Sequence, residues 1–330
     1  MLKTLLALML ALPAATPSFI YEDAAADQAI RHTSQATYNL DLVEARKTAR
    51  GLQRSYPDHP VGYLMDAETY WWEAQTDWTR EEIEDEYFRL EEKTIDIGEK
   101  ALKAKKYPTV EIEAYLASAW GSKARFQLTQ HGVGWSTVSY GREAHNYADK
   151  VYKADPNYID ILVGIGAYNY FTGRVPAILK PFIWFFGANG DATLGLKQIR
   201  TTIDKGRYAK TEARIVLFTA LMKDEEHQES LKILQSLMAD YPENYALYPW
   251  ATEWHMDQGK KAEGVEYFEK LAAEKRASPK LAQRALYEKA ILQKANGKRE
   301  DARATLNRIR AIAAPEASLA RNMAAFEKKL

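Results

Sequence analysis

Small or apolar residues recur at offsets 0, 4 and 7, with proline at 12, in three places along the chain. They are Ala45, Ala49, Leu52 and Pro57; Ala144, Ala148, Val151 and Pro156; and Ser230, Leu234, Leu237 and Pro242. Offsets of 4 and 7 fall on one face of an α-helix. A small first residue lets a neighbouring helix approach closely. Proline then ends the run, since it lacks an N–H and drives the residue before it towards extended backbone. No region alternates at period two over enough residues to demand a sheet. The pattern predicts an all-α chain.

The C-terminal third repeats the theme with drift. Gly259-Lys260-Lys261 opens a helix carrying Gly264, Phe268 and Leu271, and Gly297-Lys298-Arg299 opens another carrying Ala302, Leu306 and Ile309. Glycine at these turns suits a left-handed helix end. Ser230 to Gly264 is 34 residues and Gly259 to Gly297 is 38. This spacing resembles that of tetratricopeptide repeats, whose unit is about 34 residues. The predicted architecture is a tetratricopeptide-like helical-hairpin solenoid over residues 16–330.

Two places break the repeat. Gly121 and Ala144 stand 23 residues apart where a regular unit allows about 12, and the extra stretch includes His131-Gly132-Val133-Gly134-Trp135-Ser136, a loop by composition. The second break is an insertion at 173–190. A first helix at 161–170 has Gly166 as its close-packing residue, and its mate begins only at Asp191, a helix cap by type. Within the insertion, Phe182-Ile183-Trp184-Phe185-Phe186 is an unbroken apolar run between Pro181 and Gly187. Such a run is buried against something. It either fills the groove of its own solenoid or meets a partner or lipid interface. Phe182, Trp184, Phe185 and Phe186, with Tyr168 and Tyr170 on the preceding helix, are the candidate partner contacts.

Residues 162–171 (Leu-Val-Gly-Ile-Gly-Ala-Tyr-Asn-Tyr-Phe), then Val175-Pro176, Phe186-Gly187, Gly190-Asp191 and Gly195-Leu196, resemble the signature of the tetratricopeptide-repeat-39 family and its bacterial relatives. The resemblance spans about a tenth of the chain and implies a helical-repeat adaptor without established catalytic residues. The eukaryotic members lack an export signal, so their cytosolic roles are not carried across.

That signal is read at 1–15. Lys3 precedes the apolar run Leu5–Leu12, and Pro13-Ala14-Ala15 offers small residues for cleavage, as in a secretory leader. The expected mature protein is exported, periplasmic or secreted. No later stretch is long and apolar enough to span a bilayer, which leaves peripheral contact open. Forty-five basic residues balance 45 acidic ones, and this argues against nucleic-acid binding, which needs a basic excess. With no cysteine there are no disulfides, thiolate metal sites or cysteine nucleophiles. The six histidines, 32, 59, 131, 145, 227 and 255, form no zinc-protease pair. Neither a phosphate-binding glycine loop nor a serine elbow occurs. The acidic run 81–86 reads as a helix start and Lys100–Lys106 as a helix end, each complementing the helix dipole. Tyr70-Trp71-Trp72 reads as core between repeats. The sequence therefore predicts no enzyme, no cofactor and no metal, and a protein or peptide partner. The alternative is a membrane-peripheral or small-ligand-binding protein that uses the insertion.

Overall fold

The computed structural model describes residues 19–76, 81–175 and 190–330. The leader at 1–15 and the apolar run 182–186 lie outside the described residues. Among the described residues fifteen α-helices follow one another, with no strand. They are α1 (Ala24–Tyr38), α2 (Leu42–Ser55), α3 (Val61–Thr76), α4 (Glu81–Ala104), α5 (Thr109–His131), α6 (Trp135–Ala154), α7 (Leu162–Gly173), α8 (Ala192–Lys205), α9 (Lys210–Lys223), α10 (His227–Asp240), α11 (Tyr248–Asp257), α12 (Lys261–Ala273), α13 (Pro279–Ala295), α14 (Arg299–Ile312) and α15 (Ala317–Glu327). Each odd-numbered helix pairs with the next in an antiparallel hairpin, seven in all, and α15 covers the last.

The repeated offsets mark the buried faces. Ala45, Ala49 and Leu52 are buried on α2, Ser230, Leu234 and Leu237 on α10, and Ala302, Leu306 and Ile309 on α14. The turns after the first helices need a left-handed residue: Gly259 has φ +67° and Gly297 +78°, while Leu40 at 59° and Glu225 at 60° take the same conformation without glycine's freedom. Helices α1, α2, α8 and α13 start on a side-chain cap, as where Asp191 accepts from the Thr193 and Leu194 N–H groups at 2.9 and 3.0 Å.

At the first break the extra residues lengthen helices instead of forming a long loop. Helix α5 has 23 residues and α6 has 20, and only 132–134 remain between them. At the second break α7 runs to Gly173 and α8 starts at Ala192. The neck of the insertion is tight. A Cβ on Gly173 would lie 2.7 Å from the Ala192 nitrogen, and one on Gly190 would lie 2.3 Å from the Asn169 oxygen. Above it α7 and α8 touch backbone to backbone, since a Cβ on Gly195 would sit 2.6 Å from the Gly166 oxygen.

The stack curls until its first hairpin meets hairpins that come about 200 residues later. Asn244 Nδ2 donates to the Tyr38 carbonyl at 2.8 Å. Arg207 pairs with Asp27 at 3.0 Å, and the Tyr208 hydroxyl also donates to Asp27. Between these bridges an aromatic chain fills the inner face, from Tyr38 to Trp72 at 5.7 Å, Trp72 to Trp250 at 6.2 Å and Trp250 to Phe218 at 5.7 Å. One buried cluster therefore runs from Leu40 and Trp71 through Phe218 to Trp254 and Leu281. The last hairpins have a separate core of Leu286, Ala290, Ala302, Leu306, Ile309, Leu319 and Met323. No helix among the described residues is long and apolar enough to cross a membrane.

Candidate functional site

Of the sequence-predicted contacts, only Tyr168 and Tyr170 lie within the described residues; Phe182, Trp184, Phe185 and Phe186 do not. Tyr170 is a packing residue. It is fully buried, and its hydroxyl donates to the Ala220 carbonyl at 2.8 Å, fixing α7 to α9. Burial first, and Asp224 second, push that hydroxyl up to about 12. As placed, Tyr170 has no surface to offer a partner, which corrects its reading as a contact. The local pattern hid this because both tyrosines stand on one short apolar helix. Tyr168 is only partly buried, and its ring lies flat on His145 at 3.9 Å. Burial lowers His145 from the ordinary histidine value.

The densest charge in the fold lies inside the curl. Arg125 of α5 reaches Glu68 of α3 with contacts of 2.6 and 2.7 Å and Glu212 of α9 at 2.7 Å. Its guanidinium sits 4.0 Å over the Trp71 ring, and Ser122 donates to Glu68 at 2.7 Å. Burial alone would lower Arg125, but Glu212 and Glu68 outweigh it and hold the guanidinium well above its ordinary range. Beside this clamp is Glu91 of α4, fully buried, with neither carboxylate oxygen hydrogen-bonded. Burial, then the nearby Glu68, raise it well above 4.5. The Tyr87 hydroxyl, one helical turn before Glu91, and the Trp71 indole nitrogen are also unpartnered. This arrangement locks three hairpins together.

A second polar group lies where the second helices return. A cleft of about 390 Å³ is lined by Phe19, Ser55, Tyr56, Asp58, Lys106 and Tyr107 among others. Its charges are matched: Asp58 takes Lys106 at 2.6 Å and the Tyr107 hydroxyl at 2.8 Å, and Asp23 takes the Tyr56 hydroxyl at 2.7 Å. Beneath it the buried Glu111 accepts the Ile20 N–H with both oxygens, at 3.0 and 3.1 Å. His59 stands edge-on to Tyr107 and Tyr115 and is also buried. Its Nδ1 accepts the Val61 N–H at 3.1 Å, which assigns the proton to Nε2. That nitrogen is 3.8 Å from Glu111, beyond hydrogen-bond range. No group of three or more metal-ligating side chains occurs among the described residues.

The inner face changes character after α11. Tyr287 of α13 and Phe326 of α15 are both partly exposed and meet edge to face at 5.8 Å. Lys294 lies 5.0 Å over the Phe326 ring. These rings join α13 to α15, the helix that covers the last hairpin.

Residues 284–312, which cover the end of α13 and all of α14, match the tetratricopeptide repeat family model. No curated protein matches the chain. A tetratricopeptide repeat protein from Parabacteroides merdae is 14% identical over 90% of this chain and 98% of its own, with a TM-score of 0.40. The C-terminal part of a TPR repeat-containing protein from Cytophaga hutchinsonii is 16% identical over 88% and 98%, with a TM-score of 0.43. The fold itself rests on the hairpin stacking and not on either overlay. The matches do not touch the narrower likeness drawn from residues 162–196. The described residues thus form an all-α solenoid of stacked helical hairpins, with a tetratricopeptide repeat matched at 284–312.

Proposed function

We propose that this protein is an exported, non-enzymatic adaptor that holds a protein or peptide partner on the inner face of its C-terminal hairpins. Repeat solenoids bind through such faces. Here the face between α1 and α11 is taken up by Tyr38, Trp72, Phe218 and Trp250, so the binding surface lies farther along. The observation that carries the reading is the partly exposed Tyr287–Phe326 pair on α13 and α15. Aromatic anchors of this kind dominate peptide and protein interfaces. Export rests on the leader pattern at 1–15.

The test is a cross-linked pull-down from envelope extract with mature protein. Wild type is compared with Tyr287→Ser/Phe326→Ser and with Trp184→Ser/Phe185→Ser, after circular dichroism of all three. Loss of a specific partner from the first variant alone, with its helicity retained, supports the reading. Loss from the second alone moves the contact surface to the insertion. Equal capture by all three removes both.

A further inference from the structure

The long α5–α6 hairpin ends in an apolar tip. Val133 is 82% exposed, Trp135 69%, Leu128 42% and Val138 39%. Elsewhere among the described residues, large exposed apolar side chains stand singly, at Val43, Tyr152, Leu194 and Ile312. Single ones are ordinary on any surface, whereas a cluster marks a contact. At the tip, four fall within eleven residues, on the last turn of α5, the three-residue connection and the first turn of α6. Gly132, at φ +81°, makes the sharp reversal, and neither it nor Gly134 packs against anything. The turn thus carries Val133 and Trp135 outward. Trp135 has an interaction within the chain as well and still leaves most of its surface in solvent.

Shape and charge select the occupant. The tip is convex, built from two helix ends and a short turn. A protein partner of standard affinity covers about 800 Å² per side and would need a matching cavity around a knob this small. A bilayer closes around a convex wedge without one. Tryptophan favours the level of the lipid headgroups, with its ring in the apolar layer and its N–H in the wet one. No aspartate or glutamate occurs from 114 to 142, so the tip carries no carboxylate into the lipid. Behind it is an acidic collar: His131, the last residue of α5, meets Glu84 at 2.9 Å, and Glu84 belongs to the run Glu81-Glu82-Ile83-Glu84-Asp85-Glu86 that opens α4. Arg142 on α6 is exposed, and within α4 Arg89 pairs with Glu86 of the acidic run at 2.6 Å. An apolar wedge with an acidic collar suits zwitterionic headgroups and is repelled by anionic ones.

We infer that the α5–α6 tip is a peripheral membrane contact that inserts Val133 and Trp135 shallowly into a zwitterionic lipid surface. This goes beyond the adaptor reading and does not depend on it. The contact leaves the C-terminal inner face open to a partner.

The absence of cysteine permits a direct test on the mature chain. Ser136→Cys carries an environment-sensitive dye at the tip, and Asn307→Cys, exposed on α14, carries it at a distant control position. Each is mixed with phosphatidylcholine vesicles and with vesicles that also contain phosphatidylglycerol. Flotation of unlabelled wild type is compared with that of Val133→Ser/Trp135→Ser and of the gentler Val133→Ser alone, with thermal melts of each. The expected result is flotation of wild type on phosphatidylcholine, weaker on the anionic mixture, with a blue shift at 136 and none at 307. The double variant should bind at least tenfold more weakly with an unchanged melt, and the single variant should fall between. The inference is overturned if wild type does not float, if the double variant floats equally well, if the dye at 136 is silent, or if binding needs the anionic lipid. A shift at 136 with envelope proteins but not with vesicles would assign the tip to a protein instead.

Discussion

Glu91 gives the sharpest test of the interior, through its replacement by glutamine. Its carboxyl is fully buried and unpartnered beside Glu68, so the neutral form is the stable one in the fold. In the unfolded chain the same group ionises at its ordinary value near 4.5. Above that pH the unfolded state binds fewer protons than the folded state, so stability falls as pH rises, until the folded group itself ionises. The slope of a single such group is about 1.4 kcal/mol per pH unit. Glutamine keeps the shape and cannot ionise, so this contribution disappears in the variant. Its amide brings two unpartnered donors, a cost of about 1–3 kcal/mol that does not vary with pH. Urea unfolding of both proteins, followed by circular dichroism between about pH 5 and about pH 8, separates the two effects. The difference between wild type and Glu91→Gln should shift in favour of the variant as pH rises, with a slope approaching 1.4 kcal/mol per unit. Glu212, which burial also raises, is present in both proteins and cancels to first order. Parallel stability curves across the window would refute the reasoning and require Glu91 to be ionised and paired in solution.

Arg125→Met removes the cation that joins Glu68 and Glu212. With two carboxylates left facing each other, the loss should reach about 3–5 kcal/mol by urea unfolding, and more at neutral pH than at mildly acidic pH. Gly195→Ala places a methyl group 2.6 Å from the Gly166 oxygen, where backbone has to move; it should cost about 1–3 kcal/mol, read as a lowered thermal midpoint. Tyr170→Phe loses only the bond to Ala220 and should cost about 1 kcal/mol without changing helicity. Glu269 is held down to about 2 by Arg308 first, then by Lys289 against the cost of burial. Its contribution is present above the ordinary carboxylate value and fades as pH falls towards 2, so Arg308→Ala should move its titration upward in carboxyl NMR.

What the sequence makes legible depends on whether the cause is local. The offsets at Ala45, Ser230 and their partners are local, because a helix face repeats within one element, and each landed on a buried face. Gly166 was legible for the same reason: a missing side chain on a helix face invites another helix, and Gly195 is the one that meets it. Spacing at the first break was legible as extra length, but composition misassigned it. Residues 131–136 read as a loop, whereas α5 runs through His131 and α6 starts at Trp135, which leaves three residues for the reversal. Trp135 therefore passed unremarked inside a supposed loop, although it stands at the end of the longest hairpin.

The interior charges were not legible, because what assembles them is the curvature of the stack. Glu68, Glu91, Arg125 and Glu212 come from four helices, three of which bury side chains on several faces, so no local pattern singles these charges out. Only Glu91 left a trace, a carboxylate on the face that carries Tyr87, Leu90 and Thr94, all buried. Curvature also decides which surfaces remain for binding. A straight stack of hairpins would leave its inner face open along its whole length. In this chain the bridges from Tyr38 to Asn244 and from Asp27 to Arg207 close that face over the first five hairpins. Its aromatic residues become core, and their burial, at about 1.5–3 kcal/mol each, stabilises the closed form against opening. A partner that entered there would have to displace Trp72, Phe218 and Trp250 together, so recognition shifts to surfaces the closure leaves outside it: the C-terminal inner helices and the α5–α6 tip.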